Sequence, residues 1–167
     1  SPPHEVSGHR GKGRAIRMAS PESPVYTPMM QRAYALWHQL EAEYGEPLIA
    51  EVGGLYIGQP GSEIIDGSLA SFHGTTLEHA LLDASTVRAR FPQVGIGADE
   101  QAVWEPGAGV IRPDNCIRAH LRGAEAAGAT ILTGEALADI LATPQDLTVV
   151  SATGRHRARH LVCCLGA

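Results

Sequence analysis

The sequence has few aromatic residues, few cysteines and no long apolar run. These shortages argue against a disulfide-rich, zinc-binding or membrane-spanning protein. Its 3 Cys are an odd number without metal-ligand spacing, so we expect buried, reduced thiols rather than a disulfide framework or a zinc site. The longest apolar run near the C-terminus, residues 161–165, is far too short to span a bilayer. No secretory signal is visible at the N-terminus. We therefore expect a cytoplasmic protein without a membrane partner.

Charge and catalytic motifs are equally sparse. The net charge of −5 gives no reason to expect a nucleic-acid partner. No Ser-centred elbow, metal box or pair of catalytic carboxylates is present. The Gly-Ala-Gly run at 107–109 is not followed by a helix start, so it predicts a turn rather than a phosphate-binding loop. The 44% hydrophobic content is that of an ordinary globular protein, and 19 Gly and 11 Pro predict frequent turns.

Residues 104–133 form the most informative stretch, WEPGAGVIRPDNCIRAHLRGAEAAGATILT. Pro and Gly at 106–109 predict a turn between two short strands. Asp114 is suited to cap a helix whose apolar residues recur at helical spacing, and Gly128 suits the position after its end. The β-branched residues 130–133 predict a strand. The stretch therefore predicts strand, turn, strand, helix and strand.

The rest of the chain alternates between helical and extended patterns, which predicts an α+β fold. Helices are expected from Ser23-Pro24 to Gly45 (with Thr27 as an alternative start), from Ser62 to about Phe72, and from Asp83 to Phe91. Strands are expected at 51–57, 78–82, 147–152 (edge-type) and 161–165 (apolar on both faces). No obvious linker interrupts the pattern, so residues 1–167 are expected to form a single folded unit.

One concentration of positive charge stands out, in a glycine-rich segment near the N-terminus. It comprises His9, Arg10, Lys12, Arg14 and Arg17. Guanidinium groups in such a loop suit an anion, such as a carboxylate held by two hydrogen bonds or a negatively polarised cofactor ring. A solvated basic loop is the plainer interpretation of the same residues. The residues alone leave both alternatives open.

Five stretches together resemble one enzyme family. They are SGHRGKGRAIRMA (7–19), VYTPMMQRAYALWHQLE (25–41), GGLYIG (53–58), AVWEPGAGVIRPDNCIRAHLRGAEAAGATILT (102–133) and HLVCCLGA (160–167). Their order is similar to that of the monomeric sarcosine oxidase and N-methyltryptophan oxidase family, among the FAD-dependent amine and D-amino-acid oxidases. Each motif is weak alone, and the ordered combination carries the resemblance.

The resemblance implies a role for several residues. Members of that family have a dinucleotide-binding domain and a substrate domain whose sheet covers the flavin ring. Arg14 would lie against the flavin as a catalytic and cofactor-binding residue, and Arg17 would bind the substrate carboxylate. His9 and Arg10 would lie near the flavin on the same loop. Leu137 would belong to the segment whose backbone meets the FAD adenine.

The resemblance also implies a function. The parent enzyme would oxidise the secondary or primary amine of a small amino acid with FAD and release peroxide. A non-catalytic fragment or binding module is one alternative, and an FAD-dependent amino acid dehydrogenase is another. Lys12-Gly13 departs from the residues expected there, which leaves the exact substrate open.

The resemblance further implies an interior fragment, incomplete at both ends. The family's opening G-x-G-x-x-G strand and its C-terminal portion are not in this sequence. We therefore expect part of an FAD-domain sheet (about 1–50 and 108–167) and much of a mixed-sheet substrate domain (about 51–107). The chain alone is expected to lack stoichiometric FAD, and whether it turns over alone is left open. Exposed sheet edges are expected to drive self-association.

Overall fold

The computed structural model describes residues 2–3, 8, 11–143 and 146–164. Within these ranges lie four α-helices: α1 (Thr27–Tyr44), α2 (Glu63–Phe72), α3 (Ala84–Arg90) and α4 (Pro113–Ala126). The same ranges contain nine strands: β1 (Arg14–Ile16), β2 (Ile49–Glu51), β3 (Gly54–Gly58), β4 (Ala80–Asp83), β5 (Gln101–Glu105), β6 (Gly109–Ile111), β7 (Leu137–Ala142), β8 (Leu147–Ser151) and β9 (Arg155–Ala158). The predicted α+β class is confirmed.

The chain divides into two compact units. One covers residues 11–119, and the other contains the described residues from His120 onward together with residues 2–3 and 8. The proposed division into a cofactor-domain side and a substrate-domain side stays a prediction. No helix among the described residues is long and apolar enough to cross a membrane.

Two antiparallel sheets form the larger unit. The first has the order β1-β6-β2, so that β6 is paired on both sides and β1 lies at an edge. The second has the order β3-β5-β4 and packs against α2 through a core of Ala19, Tyr56, Ile65, Phe72 and Val103. The turn at 106–108 connects the two sheets by joining β5 to β6. The predicted strand at 51–57 is wrong as a single element, because the chain turns at Val52-Gly53 and divides it between the two sheets.

Helix α1 begins at Thr27, the alternative start, after a 3₁₀ turn at Pro24–Tyr26. It ends at Gly45, as predicted, and the φ of 82° at this glycine is left-handed. Its inner face, with that of α4, surrounds the buried Leu48. Helix α4 begins one residue before the predicted cap, so that Asp114 lies in the first turn.

The C-terminal sheet has the order β7-β8-β9. Strand β8 is therefore central, and the prediction of an edge-type strand at 147–152 is wrong. The predicted strands at 130–133 and 161–165 are not present among the described residues, and Leu132 and Val162 are exposed. Both predictions relied on β-branched or apolar composition, which stabilises a strand only when neighbouring strands accept its hydrogen bonds and cover its faces.

The end of α1 is joined to β2 by one carboxylate. Glu41 accepts hydrogen bonds from the backbone amides of Leu48 at 2.6 Å and Ile49 at 2.9 Å. These bonds, that of Ile49 first, hold the pKa of the Glu41 carboxyl below its ordinary value. Because the folded-state pKa is the lower one, this stabilisation is present at neutral pH and is lost as the pH falls through that lowered value.

We expect Glu41→Gln to lower the free energy of unfolding by about 1 kcal/mol at neutral pH, since an amide can accept from these two donors only weakly. The variant should also lose less stability than the wild type between about pH 6 and pH 3. Urea unfolding curves across this range would measure both effects. Parallel losses in the two proteins would contradict the assigned role of the Glu41 charge.

Candidate substrate and cofactor site

Strand β1 carries the first of the two predicted arginines at a sheet edge. Arg14 pairs in register with Ile111 of β6 and is exposed. Its Nη1 donates to the carbonyl oxygen of Gly13 at 3.0 Å. Ile16 points into the core with 7% exposure and anchors the strand. The strand therefore presents a cation at the surface from a backbone that is fixed by pairing and burial.

Arg17 follows β1 directly and contacts two other side chains. Its Nη2 lies 3.1 Å from Oε1 of Glu22. Its Cζ lies 5.9 Å from the centre of the Tyr56 ring, which is within cation–π range. The Arg17 side chain is 39% exposed. The guanidinium is thus oriented by an aromatic ring and an acid, yet remains accessible to a solute.

Glu22 is a well-stabilised anion. Its own backbone amide, the Ser20 hydroxyl at 3.0 Å and the Arg17 guanidinium hold the pKa of its carboxyl below the ordinary value. The Glu22 side chain is 62% exposed, so that it can be displaced without opening the core. In this structure Arg17 is therefore paired with a carboxylate of its own chain.

A second carboxylate lies buried beneath the residues that follow Arg17. Glu105, with 2% exposure, accepts from the backbone amides of Met18 at 2.6 Å and Ala19 at 3.2 Å. It also accepts from the Tyr56 hydroxyl at 2.6 Å. Burial and the bond to Glu105 raise the pKa of Tyr56 well above its ordinary value, so this hydroxyl remains a donor. Three donors offset the desolvation of the Glu105 carboxylate.

Helix α2 holds the next two residues of the same segment. The Ser71 hydroxyl accepts from the Ser20 amide at 3.1 Å and donates to the Ser20 carbonyl oxygen at 2.8 Å. A Cβ added to Gly67 would lie 2.0 Å from the Pro21 carbonyl oxygen, so only glycine permits this approach of helix and loop. We call residues 17–22 the arginine segment. It is fixed by β5 at one end and by α2 at the other.

The predicted site residues do not all fall in one place. Arg14 and Arg17 lie three residues apart in the larger unit, whereas Leu137 lies in β7 of the other unit and is 44% exposed. His9 and Arg10 lie outside the described residues. Among the residues that the structure describes, no group of His, Cys, Asp or Glu could hold a metal ion. The roles assigned to these residues by resemblance stay predictions.

Sequence reasoning missed the partners of Arg17. Glu105 could have been found, because period-two alternation in β5 places it on the same face as the buried Val103. An acid on a core-facing strand position requires donors, and this is a detectable signal. Tyr56 carried no comparable signal, since its proximity to Arg17 depends on the tertiary fold. Glu22 is five residues from Arg17, so its proximity is local.

Comparison with known proteins supports the predicted family. Residues 2–167 match the model of the FAD dependent oxidoreductase family. The chain is 34% identical over 167 residues to monomeric sarcosine oxidase of Bacillus sp. (strain NS-129), covering 99% of this chain and 43% of the relative. It is 28% identical over 165 residues to N-methyl-L-tryptophan oxidase of Yersinia pestis (strain Pestoides F), covering 99% of this chain and 44% of the relative. The chain thus spans less than half the length of these relatives.

Solved structures support the same conclusion. The fold superposes on NikD, an amino acid oxidase essential for nikkomycin biosynthesis, with a TM-score of 0.74 and 25% identity, over 88% of this chain and 38% of NikD. L-proline dehydrogenase from P. horikoshii, at 20% identity and a TM-score of 0.71 over 87% of this chain and 38% of its own, shares the fold. The match extends across almost the whole chain in one order, so this chain belongs to the FAD dependent oxidoreductase family.

Proposed function

We propose that this chain supplies the carboxylate-binding side of the active site in an FAD-dependent amine oxidase. The observation that carries the proposal is the state of Arg17, which is partly exposed, oriented by Tyr56 and paired with the displaceable acid Glu22. A planar guanidinium is suited to hold a carboxylate through two parallel hydrogen bonds. The substrate class is a small amino acid whose amine carries hydrogen or a methyl group.

The names of the relatives support this substrate class. Sarcosine is N-methylglycine, so sarcosine oxidase and N-methyl-L-tryptophan oxidase are both named for N-methylated amino acids. NikD is described as an amino acid oxidase. The shared chemical feature is a carboxylate next to the carbon that bears the amine. A fixed cation such as Arg17 would select that feature and place the neighbouring C–N bond.

The residues present fit one part of the cofactor's surroundings. Arg14 is an exposed cation on an edge strand and would lie beside the electron-rich flavin ring. The backbone near Leu137, exposed in β7, would contribute on the adenine side. FAD, when bound, would supply the two-electron oxidation of the C–N bond, with oxygen as the final acceptor. The side chains of this chain would bind the substrate, orient it and provide positive charge.

We expect N-methylglycine to bleach the flavin of the FAD-loaded holoenzyme that contains this chain when oxygen is absent. Admitting oxygen should restore the colour and produce peroxide in proportion to the amine consumed. The control compound is N-methylglycinamide, in which a neutral amide replaces the carboxylate. It should react far more slowly, because it cannot pair with the Arg17 guanidinium.

Three outcomes separate the alternatives. Peroxide release establishes an oxidase. Bleaching that only an added electron carrier reverses would identify a dehydrogenase and overturn the oxidase proposal. A flavin that no small N-methyl amino acid bleaches would favour the non-catalytic alternative.

A further inference from the structure

We propose that Glu105 and Tyr56 are positioning residues that hold Arg17 in the orientation needed to bind a substrate carboxylate. The inference rests on the proposed function, because it concerns how the same arginine is fixed. It assigns a role to the buried acid of β5, which no motif or resemblance indicated. Neither residue is required to touch the substrate, since both would act through Arg17.

Glu105 binds two parts of the surroundings of Arg17: the backbone that follows Arg17 and the aromatic ring of Tyr56. Its carboxylate accepts from the amides of Met18 and Ala19, the two residues after Arg17. The same carboxylate accepts from the Tyr56 hydroxyl, and the Tyr56 ring lies against the Arg17 guanidinium. One buried group therefore fixes the arginine at its Cα end through the backbone and at its charged end through the aromatic ring.

The rigidity of this arrangement comes from burial at a sheet. Glu105 is the last residue of β5, the central strand of its sheet, and pairs with Gly54 of β3. Tyr56 lies on β3 two residues after Gly54 and is 8% exposed. The carboxylate and the hydroxyl thus project from two paired strands, and burial restricts the movement of both side chains. A site built on strands in this way is held more accurately than one built on a loop.

The arrangement matters most when substrate binds. Glu22 binds Arg17 in the present structure, and an incoming carboxylate would have to replace it. Once Glu22 has left, the guanidinium keeps the Tyr56 ring and the backbone fixed by Glu105. Orientation would then depend on these two contacts while the substrate is held. A misplaced guanidinium would lengthen and bend its two hydrogen bonds to the carboxylate, which weakens substrate binding.

Two substitutions test the inference, and each has a matched control. Glu105→Gln keeps the shape but replaces one of two accepting oxygens by a donor. Glu41→Gln removes the charge of another carboxylate that binds two backbone amides, both through Oε2. Tyr56→Phe removes one buried hydroxyl, and Tyr34→Phe removes another, which donates to the Gly107 carbonyl oxygen at 2.8 Å. The controls make the same replacements, carboxylate by amide and phenol by phenyl, at residues other than the described contacts of Arg17.

The first measurement is steady-state kinetics of the FAD-loaded holoenzyme with N-methylglycine and N-methylglycinamide. Glu105→Gln should raise KM for N-methylglycine roughly 10- to 100-fold. Tyr56→Phe, the milder change, should raise it about 2- to 10-fold. KM for the amide and kcat for both compounds should change much less. Glu41→Gln and Tyr34→Phe should leave the ratio of the two specificity constants unchanged.

The second measurement needs no activity. Amide hydrogen exchange of the chain should be faster at Met18 and Ala19 in Glu105→Gln, and unchanged there in Glu41→Gln. If Glu105→Gln does not fold, Tyr56→Phe still supplies the kinetic result, because it removes only one hydroxyl. Unchanged exchange at both amides would overturn the inference.

The kinetic outcomes distinguish this inference from the proposed function. Suppose that Arg17→Lys abolishes the preference for N-methylglycine over its amide, while Glu105→Gln and Tyr56→Phe retain it. Arg17 then binds the carboxylate without help from these residues, and only the inference is overturned. A preference that survives in all three variants would overturn the proposed function together with the inference. A preference reduced in all three, and least in Tyr56→Phe, supports both.

Discussion

Arg17→Lys is expected to lower kcat/KM for N-methylglycine by a few tens- to a few thousand-fold in the FAD-loaded holoenzyme. The substitution keeps the positive charge but loses the planar group that holds a carboxylate by two hydrogen bonds. Truncating one partner of a desolvated charge pair costs about 2–5 kcal/mol of binding, which gives that range. The Arg17 side chain is 39% exposed, and solvent weakens the interaction between exposed charges. We therefore expect a loss in the lower half of this range.

The loss should appear chiefly in KM. A contact that is equally strong in the ground state and the transition state contributes to binding and leaves kcat unchanged. N-methylglycinamide should lose much less, because it lacks the charge that Arg17 binds. Equal losses on both compounds would mean that Arg17 supports the arginine segment, through Glu22 and Tyr56, and does not bind the substrate.

Arg14→Lys is the matched control, because it makes the same change three residues away. Arg14 is proposed to lie beside the flavin, so its replacement should alter the flavin absorbance and the rate of reoxidation. The ratio of the two specificity constants should change little. A loss of carboxylate preference in Arg14→Lys as large as that in Arg17→Lys would contradict the division of roles between the two arginines.

Local chemistry made much of the fold predictable. Gly45 ends α1 because a left-handed residue is needed there, and the sequence shows this directly. Asp83 begins α3 because its carboxylate accepts from the Thr86 amide at 2.7 Å, as its position before the helix predicts. The turn at 106–108 follows from Pro and Gly in the same way. Each of these signals depends on residues within one turn of the chain. They can therefore be recognised without knowledge of the tertiary structure.

Pairing between distant strands was less predictable. Residues 130–133 and 161–164 have the composition of strands, but no neighbouring strand pairs with them in the described part of the chain. Conversely, all six residues of β7 are exposed and carry no alternation, yet they form a strand because β8 pairs with them. Strand formation is decided by the partner as much as by the segment itself.

In the candidate site, too, local features were predictable from the sequence and long-range contacts were not. The two arginines could be named from the sequence, since they belong to a cluster of cations in a glycine-rich segment. The two buried residues proposed to position Arg17 were harder to name, because Tyr56 and Glu105 are 39 and 88 residues distant from it in the chain. Only Glu105 gave a signal, as an acid on a core-facing position of a strand.

Gly109→Ala is expected to destabilise the larger unit by about 3 kcal/mol, the upper end of the range for overpacking. Gly109 lies in β6, where it pairs with Ile16 on one side and Glu51 on the other. A Cβ at this position would lie 2.1 Å from the Ala50 carbonyl oxygen. That atom belongs to the backbone of β2 and cannot rotate away, so the strands must separate. The free energy of unfolding from urea denaturation would measure the effect.

Gly123→Ala is the control, since it makes the same change where a Cβ would meet nothing within 4 Å. Gly123 is exposed within α4, and alanine there should stabilise the helix by about 0.5–1 kcal/mol. The same glycine-to-alanine change is therefore expected to lower the free energy of unfolding at Gly109 and to raise it at Gly123. Because β1 pairs with β6, Gly109→Ala should also displace Arg14 and Arg17 and weaken carboxylate preference. A Gly109→Ala variant as stable as the wild type would show that β2 and β6 can move apart freely, and β6 would then not be the rigid support of the arginines.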